Sequence, residues 1–255
     1  MTIITSERVG EIAYSSRGTK MEIIAYRKFN DIDVKFENGY IAKGVEYVQF
    51  KRRNLTNPFE PSVYKFGYHG EGKYRVSENG KHTKHYIAWK SMLNRCYGAK
   101  LQERSPTYMD CTVHKHWHNF QNFGEWYDIN YYEIEDEIMA LDKDILVKNN
   151  KAYSPRTCVF VPHSINTLIV KRDKFRGNLP IGVNLSKCKK KYESWCSNGN
   201  GKRVYLGACA TPEESFQTYK EYKENKIKEV AEKYKYNIPE KLYLALINYE
   251  VDIND

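Results

Sequence analysis

Residues 181–234 constrain the fold more than any other part of the chain. Three short stretches, 181–187, 192–197 and 202–208, read as strands joined by basic or glycine-bearing turns. A helix start follows at once, with Thr211 at the N-cap, Pro212 at the first helical position and Glu214 at the third. That helix is expected to reach about Tyr234, with Phe216, Tyr219, Ile227 and Val230 towards a core. Strand alternation sends Val183, Leu185, Cys196, Val204 and Leu206 to the helix side. Asn184, Ser186, Trp195, Ser197, Arg203 and Tyr205 are expected on the opposite face. The same stretch is basic: Arg176, Lys187, Lys189, Lys190, Lys191, Lys202 and Arg203 stand against Glu193 alone, 7 − 1 = +6. Such a face suits phosphates.

The succession IGV, KKKYESWC, KRVYLG and TPEESFQTY resembles an AP2-type DNA-binding domain over about residues 180–235. The resemblance implies a three-stranded sheet lying in the DNA major groove, with a helix on its other face. It gives Asn184, Ser186, Trp195, Ser197, Arg203 and Tyr205 the roles of base- and phosphate-contacting residues. The arginines that the plant transcription factors of that family carry are absent at 181 and 184, so no site preference transfers.

Upstream, residues 1–68 read as a small β-sheet or β-barrel module. Strands are expected at 21–29 and 32–36, then a two-residue hairpin at Asn38-Gly39 and a strand over 40–50. Lys51, Arg52 and Arg53 close that hairpin and are candidate contacts to a nucleic-acid backbone. Residues 67–84 are polar and glycine-containing and read as a separator. Residues 86–97 form an amphipathic helical pattern, and Trp117, Phe120, Phe123 and Trp126 recur every three residues as a helix core stripe would. Strands are expected at 138–145 and 157–161, a helix at 162–174, and a short terminal helix at 239–249. His114, His116 and His118 alternate after Cys111. On a strand they would share one face, read as surface or phosphate-facing in preference to zinc-binding.

The stretch MALDKDILVKNNKAYSPRTCVFVPHSINTLIVK, residues 139–171, resembles an HNH, or ββα-metal, nuclease site. The resemblance places Asp142 at the strand-end aspartate that ligates the metal. Tyr153-Ser154-Pro155 falls at the Gly-Tyr-Ser/Thr turn, with Ala152 for glycine. Thr157 takes the first asparagine position, and Asn166 the helix asparagine that completes a Mg²⁺ or Mn²⁺ site. One departure is large: Lys143 stands where the family has its histidine base. An ordinary lysine, pKa about 10.4, is a poor base at neutral pH. Lys143 is therefore expected to hold phosphate, with Tyr153 or His163 supplying the nucleophile or base. AP2 and HNH modules also occur together in phage-encoded proteins similar to homing endonucleases.

Composition narrows the partners. The chain has 41 Lys and Arg against 32 Asp and Glu, a net +9, with 22 tyrosines. Basic and aromatic together point to nucleic acid, and disfavour an acidic DNA mimic. No apolar run approaches the ~18–20 residues that cross a bilayer, and the first residues carry no secretory pattern. Six cysteines without C-x-x-C spacing fit reduced thiols in a cytoplasm, as in an infected bacterial cell. The expectation is an α+β chain of three modules: a β module at 1–68, an HNH-like ββα-metal domain at 69–176, and an AP2-like domain with a C-terminal helix at 177–255. Its expected partner is double-stranded DNA and not a membrane. Its expected activity is metal-dependent hydrolysis of DNA phosphodiesters. The competing expectation is a catalytically inactive, sequence-specific DNA binder that acts as a regulator or blocker.

Overall fold

Asn38 and Gly39 lie in a hairpin turn, with Gly39 at φ +91°, a value that costs glycine little. Phe36 N donates to Tyr40 O at 2.8 Å, so the loop is the three residues Glu37, Asn38 and Gly39 and not the expected two. The computed structural model describes residues 6–169, 179–188, 190–198 and 202–253, and the chain is mixed α and β. Strands β1 (Ile12–Tyr14), β2 (Lys20–Lys28), β3 (Asp31–Phe36) and β4 (Ile41–Val45) pair antiparallel in sequence order. Alternation buries Met21 and Ile23, then Ile32, Val34 and Phe36, then Ala42, around Phe50 and Leu55. The strand expected over 40–50 stops at Val45. Glu46 is extended, and α1 (Tyr47–Lys51) makes one helical turn that drives Phe50 into the core. Lys51, Arg52 and Arg53 consequently lie at a helix C-terminus and not along a hairpin strand. Cations complement the negative end of a helix, and Lys51 also pairs with Glu11 at 2.9 Å.

The chain divides into two compact units, Met1–Tyr86 with His116–Phe123, and Ile87–Lys115 with Gly124–Asp255. In the first, His118 and Phe120 exchange backbone bonds with Tyr68 at 2.9 Å. Residues 67–84 belong to this unit and carry the hairpin β5 (Ser77–Glu78) and β6 (Lys81–His82). Further along the chain come α2 (Lys84–Tyr97), α3 (Ala99–Arg104), β7 (Thr112–Val113) and α4 (Phe120–Asn130). Trp117, Phe120, Phe123 and Trp126 are all buried, as their spacing predicts.

In the second unit β8 (Met139–Asp142) pairs antiparallel with β10 (Val159–Pro162), while β9 (Ala152–Tyr153) in the intervening loop pairs parallel with β7. Then α5 (His163–Ile169) begins immediately after β10. The part of the expected 162–174 helix beyond residue 169 lies outside the described residues, as do Arg176 and Lys189 of the basic run. Strands β11 (Val183–Leu185), β12 (Tyr192–Ser197) and β13 (Arg203–Cys209) form an antiparallel sheet in that order. Gly182 before it takes φ +79°, and a Cβ there would meet the Tyr219 ring at 2.1 Å, so both conformation and space require glycine.

The capping box forms as expected. The Thr211 hydroxyl accepts from Glu214 N at 3.2 Å, and the Glu214 carboxylate accepts from Thr211 N at 3.3 Å. It opens α6 (Pro212–Tyr234), which at 23 residues is about 35 Å long, more than a three-stranded sheet can cover. Its first half packs Phe216 and Tyr219 against Val183 and Cys196. Its second half puts Ile227 and Ala231 into a cluster with Val159, Val161, Ile165 and Leu168, closed by Leu242 and Leu246 of α7 (Glu240–Ile247). The ββα segment and the C-terminal sheet, read from the sequence as separate domains meeting at 176/177, share this helix and one compact unit. No helix among the described residues is long and apolar enough to cross a membrane.

Candidate nucleic-acid interface and metal site

The β8–β10 register fixes the layout of the first candidate site. Asp142 pairs with Val159 at one end of the ladder, and Met139 pairs with Pro162 at the other. Three residues of strand separate the ends by about 10 Å. Asp142 sits where the strand breaks into the loop, and its Oδ1 accepts from Asp144 N at 2.9 Å and Ile145 N at 2.8 Å. An aspartate bonding its own following backbone is a standard turn device. Burial, and next the Asp144 charge, push the Asp142 carboxyl above its ordinary 3.8, against the pull of those two N–H groups. Among the described residues, neither Asp142 Oδ2 nor the half-buried Asn166 side chain has a hydrogen bond. Both are open to a further partner, and they do not bond each other.

Lys143 is buried, and its Nζ donates to Asp144 Oδ2 at 2.9 Å. Burial alone would lower its pKa, but the Asp144 carboxylate outweighs burial and holds it above 10.5. It is a fixed cation and not a proton acceptor. Tyr153 is also buried, its ring 5.9 Å from the Lys143 ammonium. Its hydroxyl accepts from Arg95 Nη1 at 3.2 Å, and burial drives the phenol pKa upward against the pull of that guanidinium. A core tyrosine so bonded is a poor nucleophile or base. His163 starts α5 at the Met139 end, where its N–H donates to Ile138 O at 2.8 Å, far along the ladder from Asp142. Thr157 donates to Ala152 O at 2.9 Å and meets Ser154 Oγ at 2.8 Å, so its hydroxyl is spent on the turn.

Two residues here were not singled out from the sequence. Arg95 on α2 joins Leu141 O (3.1 Å) to the Tyr153 hydroxyl, tying β8 to β9 directly before Asp142. Asn150 donates to Lys143 O and Ala152 O, both at 2.7 Å, and accepts from Ala152 N at 3.2 Å, closing the loop. Nothing in a lone Arg or Asn marks such a role before the partners are folded together. No group of three or more His, Cys, Asp or Glu side chains placed for a metal occurs among the described residues. The histidines after Cys111 do not alternate on a strand: β7 ends at Val113, and Lys115–His118 is a 3₁₀ turn. The buried Cys111 thiol points to Thr107 O.

The second candidate site is the face of β11–β13 turned away from α6. Trp195 pairs with Tyr205 and Ser197 with Arg203. The Trp195 and Tyr205 rings lie 5.0 Å apart, the Arg203 guanidinium is 5.4 Å from the Trp195 ring, and Glu193 accepts from Trp195 Nε1 at 3.2 Å. Asn184, Ser197, Arg203 and Tyr205 are exposed and Trp195 is partly so. Opposite them Ser194 and Cys196 are buried, and Ser194 Oγ donates to Ser215 O of α6 at 2.6 Å. A bulge between Ser194 and Trp195 skips Leu206 on β13 and holds this division.

Alternation fails at the end of β11. Leu185 is exposed and Ser186 is buried, the reverse of the expectation. The strand ends at Leu185, and Ser186 turns inward to accept Lys191 N at 3.2 Å. Ser186 is thus a turn residue and not part of the outward face. Comparison with family models, curated proteins and solved structures found no match to the chain.

Proposed function

We propose that the chain is a DNA-binding endonuclease that hydrolyses phosphodiester bonds with a divalent metal, with an AP2-like sheet as reader and an HNH-like ββα unit as cutter. The observation that carries the DNA reading is the Arg203–Trp195–Tyr205 cluster on an open sheet face. Two adjacent tilted rings with a guanidinium beside them suit bases and phosphates. Asn184 and Ser197 flank it, and Lys187, Lys190, Lys191 and Lys202 add phosphate-attracting charge. Arg52 and Arg53 in the other unit are secondary candidates for backbone contact, while Lys51 is engaged by Glu11.

Asp142 and Asn166 would hold the metal. A carboxylate oxygen and a side-chain amide, neither bonded elsewhere among the described residues, are hard oxygen donors that fit Mg²⁺ or Mn²⁺. Such an ion would stabilise charge on the scissile phosphate and its leaving oxygen. The protein's own part is to orient. Asp144 N and Ile145 N fix the Asp142 carboxylate, Arg95 fixes the strand that carries it, and the buried Lys143 ammonium holds Asp144. The competing reading, a DNA binder that does not cut, draws on one observation: none of Lys143, Tyr153 and His163 is placed as a base beside Asp142. A plasmid-cleavage assay with Mg²⁺, Mn²⁺ or chelator separates the two. Asp142→Ala is expected to abolish cutting and to leave DNA affinity within about twofold. Intact plasmid with wild-type protein and either metal would leave the binder reading.

A further inference from the structure

Residues 73–85 form a built surface where the sequence suggested a separator. The β5–β6 hairpin turns through Asn79 and Gly80, both at positive φ (49° and 74°). Ser77 faces His82 and Glu78 faces Lys81 across the ladder. Thr83 ties the hairpin to the first turn of α2: its hydroxyl donates to Arg75 O at 2.8 Å and accepts from Tyr86 N at 3.2 Å, and its N–H donates to Val76 O at 3.1 Å. The root is packed on rings. Buried Tyr86 lies 4.9 Å from His82 and edge-on to Phe120 at 5.6 Å, and Tyr74 lies 5.2 Å from His85. The hairpin is therefore held on a rigid base, with its tip in solvent.

This surface is basic. Lys73, Arg75, Lys81 and Lys84 stand against Glu78 alone, 4 − 1 = +3, with His82 and His85 among them. All four cations are exposed. They gather at the start of a 14-residue helix whose first turn holds no acidic residue. A helix N-terminus carries about half a positive charge, so anions stabilise it and cations oppose it. Folding alone favours Asp or Glu at such a place. The chain has put cations there, and a polyanion relieves the repulsion that results.

We infer that the β5–β6 hairpin and the start of α2 grip the phosphate backbone of duplex DNA, without reading bases, as a second contact beyond the C-terminal sheet. The inference rests on the DNA reading of that sheet but concerns the other unit of the chain. A protein partner fits less well, because the tip Ser77-Glu78-Asn79-Gly80-Lys81 offers no aromatic or aliphatic anchor. Lys and Arg on a short polar hairpin suit backbone contacts, which position a protein without specifying sequence.

The test uses the full chain and anisotropy titrations over a salt series, with a fluorescent duplex pool of diverse sequence and a duplex selected from it. Each phosphate contact contributes about 0.9 to the slope of log affinity against log salt. The Arg75→Gln/Lys81→Gln variant is expected to lower that slope by about 1.8 on both duplexes and to weaken binding roughly tenfold or more at low salt. Glu78→Gln is expected to tighten binding on both. Thermal melting should be unchanged in either variant, since the altered side chains are exposed and the Thr83 bond at the root is to the Arg75 backbone. A wild-type chain that binds no duplex overturns the DNA reading and this contact together. Wild-type binding whose slope the double variant leaves unchanged overturns the hairpin contact alone. A slope change confined to single-stranded RNA or heparin, with duplex DNA unaffected, also overturns it.

Discussion

On β12–β13 the bulge beside Trp195 keeps that ring opposite Tyr205 and under Arg203, with all three turned away from α6. On β8–β10, a hairpin of the same kind, the polar side chains near Asp142 turn inward. Asp142 binds its own loop, Lys143 binds Asp144, Tyr153 binds Arg95 and Thr157 binds Ala152. One hairpin presents its chemistry to whatever approaches, and the other spends most of it on holding a loop in shape. Side chains that project from a ladder keep their chemistry available, whereas a sixteen-residue loop between strands, 143–158, exposes many backbone groups that must be satisfied from within.

The comparison breaks most readily at Trp195 and Arg203. If their face is for an external ligand, Trp195→Ala and Arg203→Ala should each weaken duplex binding by roughly 10- to 100-fold, from a loss of about 1–3 kcal/mol. Their melting temperatures should stay near wild type, because the helix-side core of Val183, Cys196, Phe216 and Tyr219 is untouched. Loss of stability with full DNA affinity would make the cluster a structural one, and the two hairpins would then be alike.

The same contrast explains what could be read from the sequence. Alternation on β12 and β13 and the Thr211–Glu214 box depend on neighbours within a few residues and have the expected form. The Asn38-Gly39 turn and the four aromatics are where expected, but the turn has three residues in place of two and Trp117 lies in a 3₁₀ turn ahead of the helix. The strand over 40–50 was legible only to Val45, because the gain from burying Phe50 comes from residues on three other strands. Ser186 was misplaced because strand alternation ends where a turn begins, and the turn's need for an acceptor decides its direction. Within the ββα segment the strands and helix were legible. The roles of its side chains were not, because Arg95 comes from α2, more than forty residues earlier in the chain, and meets Leu141 and Tyr153 only on folding. The boundary at 176/177 rests on the linker signal of residues 177–180, which says nothing of α6, long enough to pack on both the sheet and the ββα segment.

A smaller effect sharpens the inward side of the comparison. Tyr153 was a candidate nucleophile from its place in the motif, but its hydroxyl is a buried acceptor for Arg95. Tyr153→Phe keeps the ring and removes only that acceptor, so metal-dependent cleavage should stay within about threefold of wild type. Arg95→Lys replaces the single guanidinium nitrogen, Nη1, that bonds both Leu141 O and the Tyr153 hydroxyl with a shorter-reaching, less pre-organised ammonium, and should lower the turnover of cleavage about tenfold with duplex affinity unchanged. A complete loss of cutting in Tyr153→Phe, with wild-type melting, would return the tyrosine to the chemistry.

The smallest expected effect lies at the joint between the two regions. Just before β8, Glu137 accepts from Ser164 Oγ of α5 at 2.5 Å and from the Tyr234 hydroxyl at the end of α6 at 2.7 Å, so one carboxylate links both. Burial pushes its pKa up, but the bonds from Ser164 and Tyr234 outweigh burial and hold it below the ordinary 4.5. A carboxylate whose folded pKa is lowered adds stability that is fully present above its unfolded value and fades as pH falls through the folded one. Glu137→Gln should therefore melt lower than wild type at pH 7 by an amount equivalent to about 1 kcal/mol. The gap should narrow steadily as pH drops below about 4.5, once the wild-type carboxyl is itself protonated. Parallel melts at pH 7, 5 and 3.5 would measure it. A gap independent of pH would mean that the joint depends on the shape of the side chain and not on its charge.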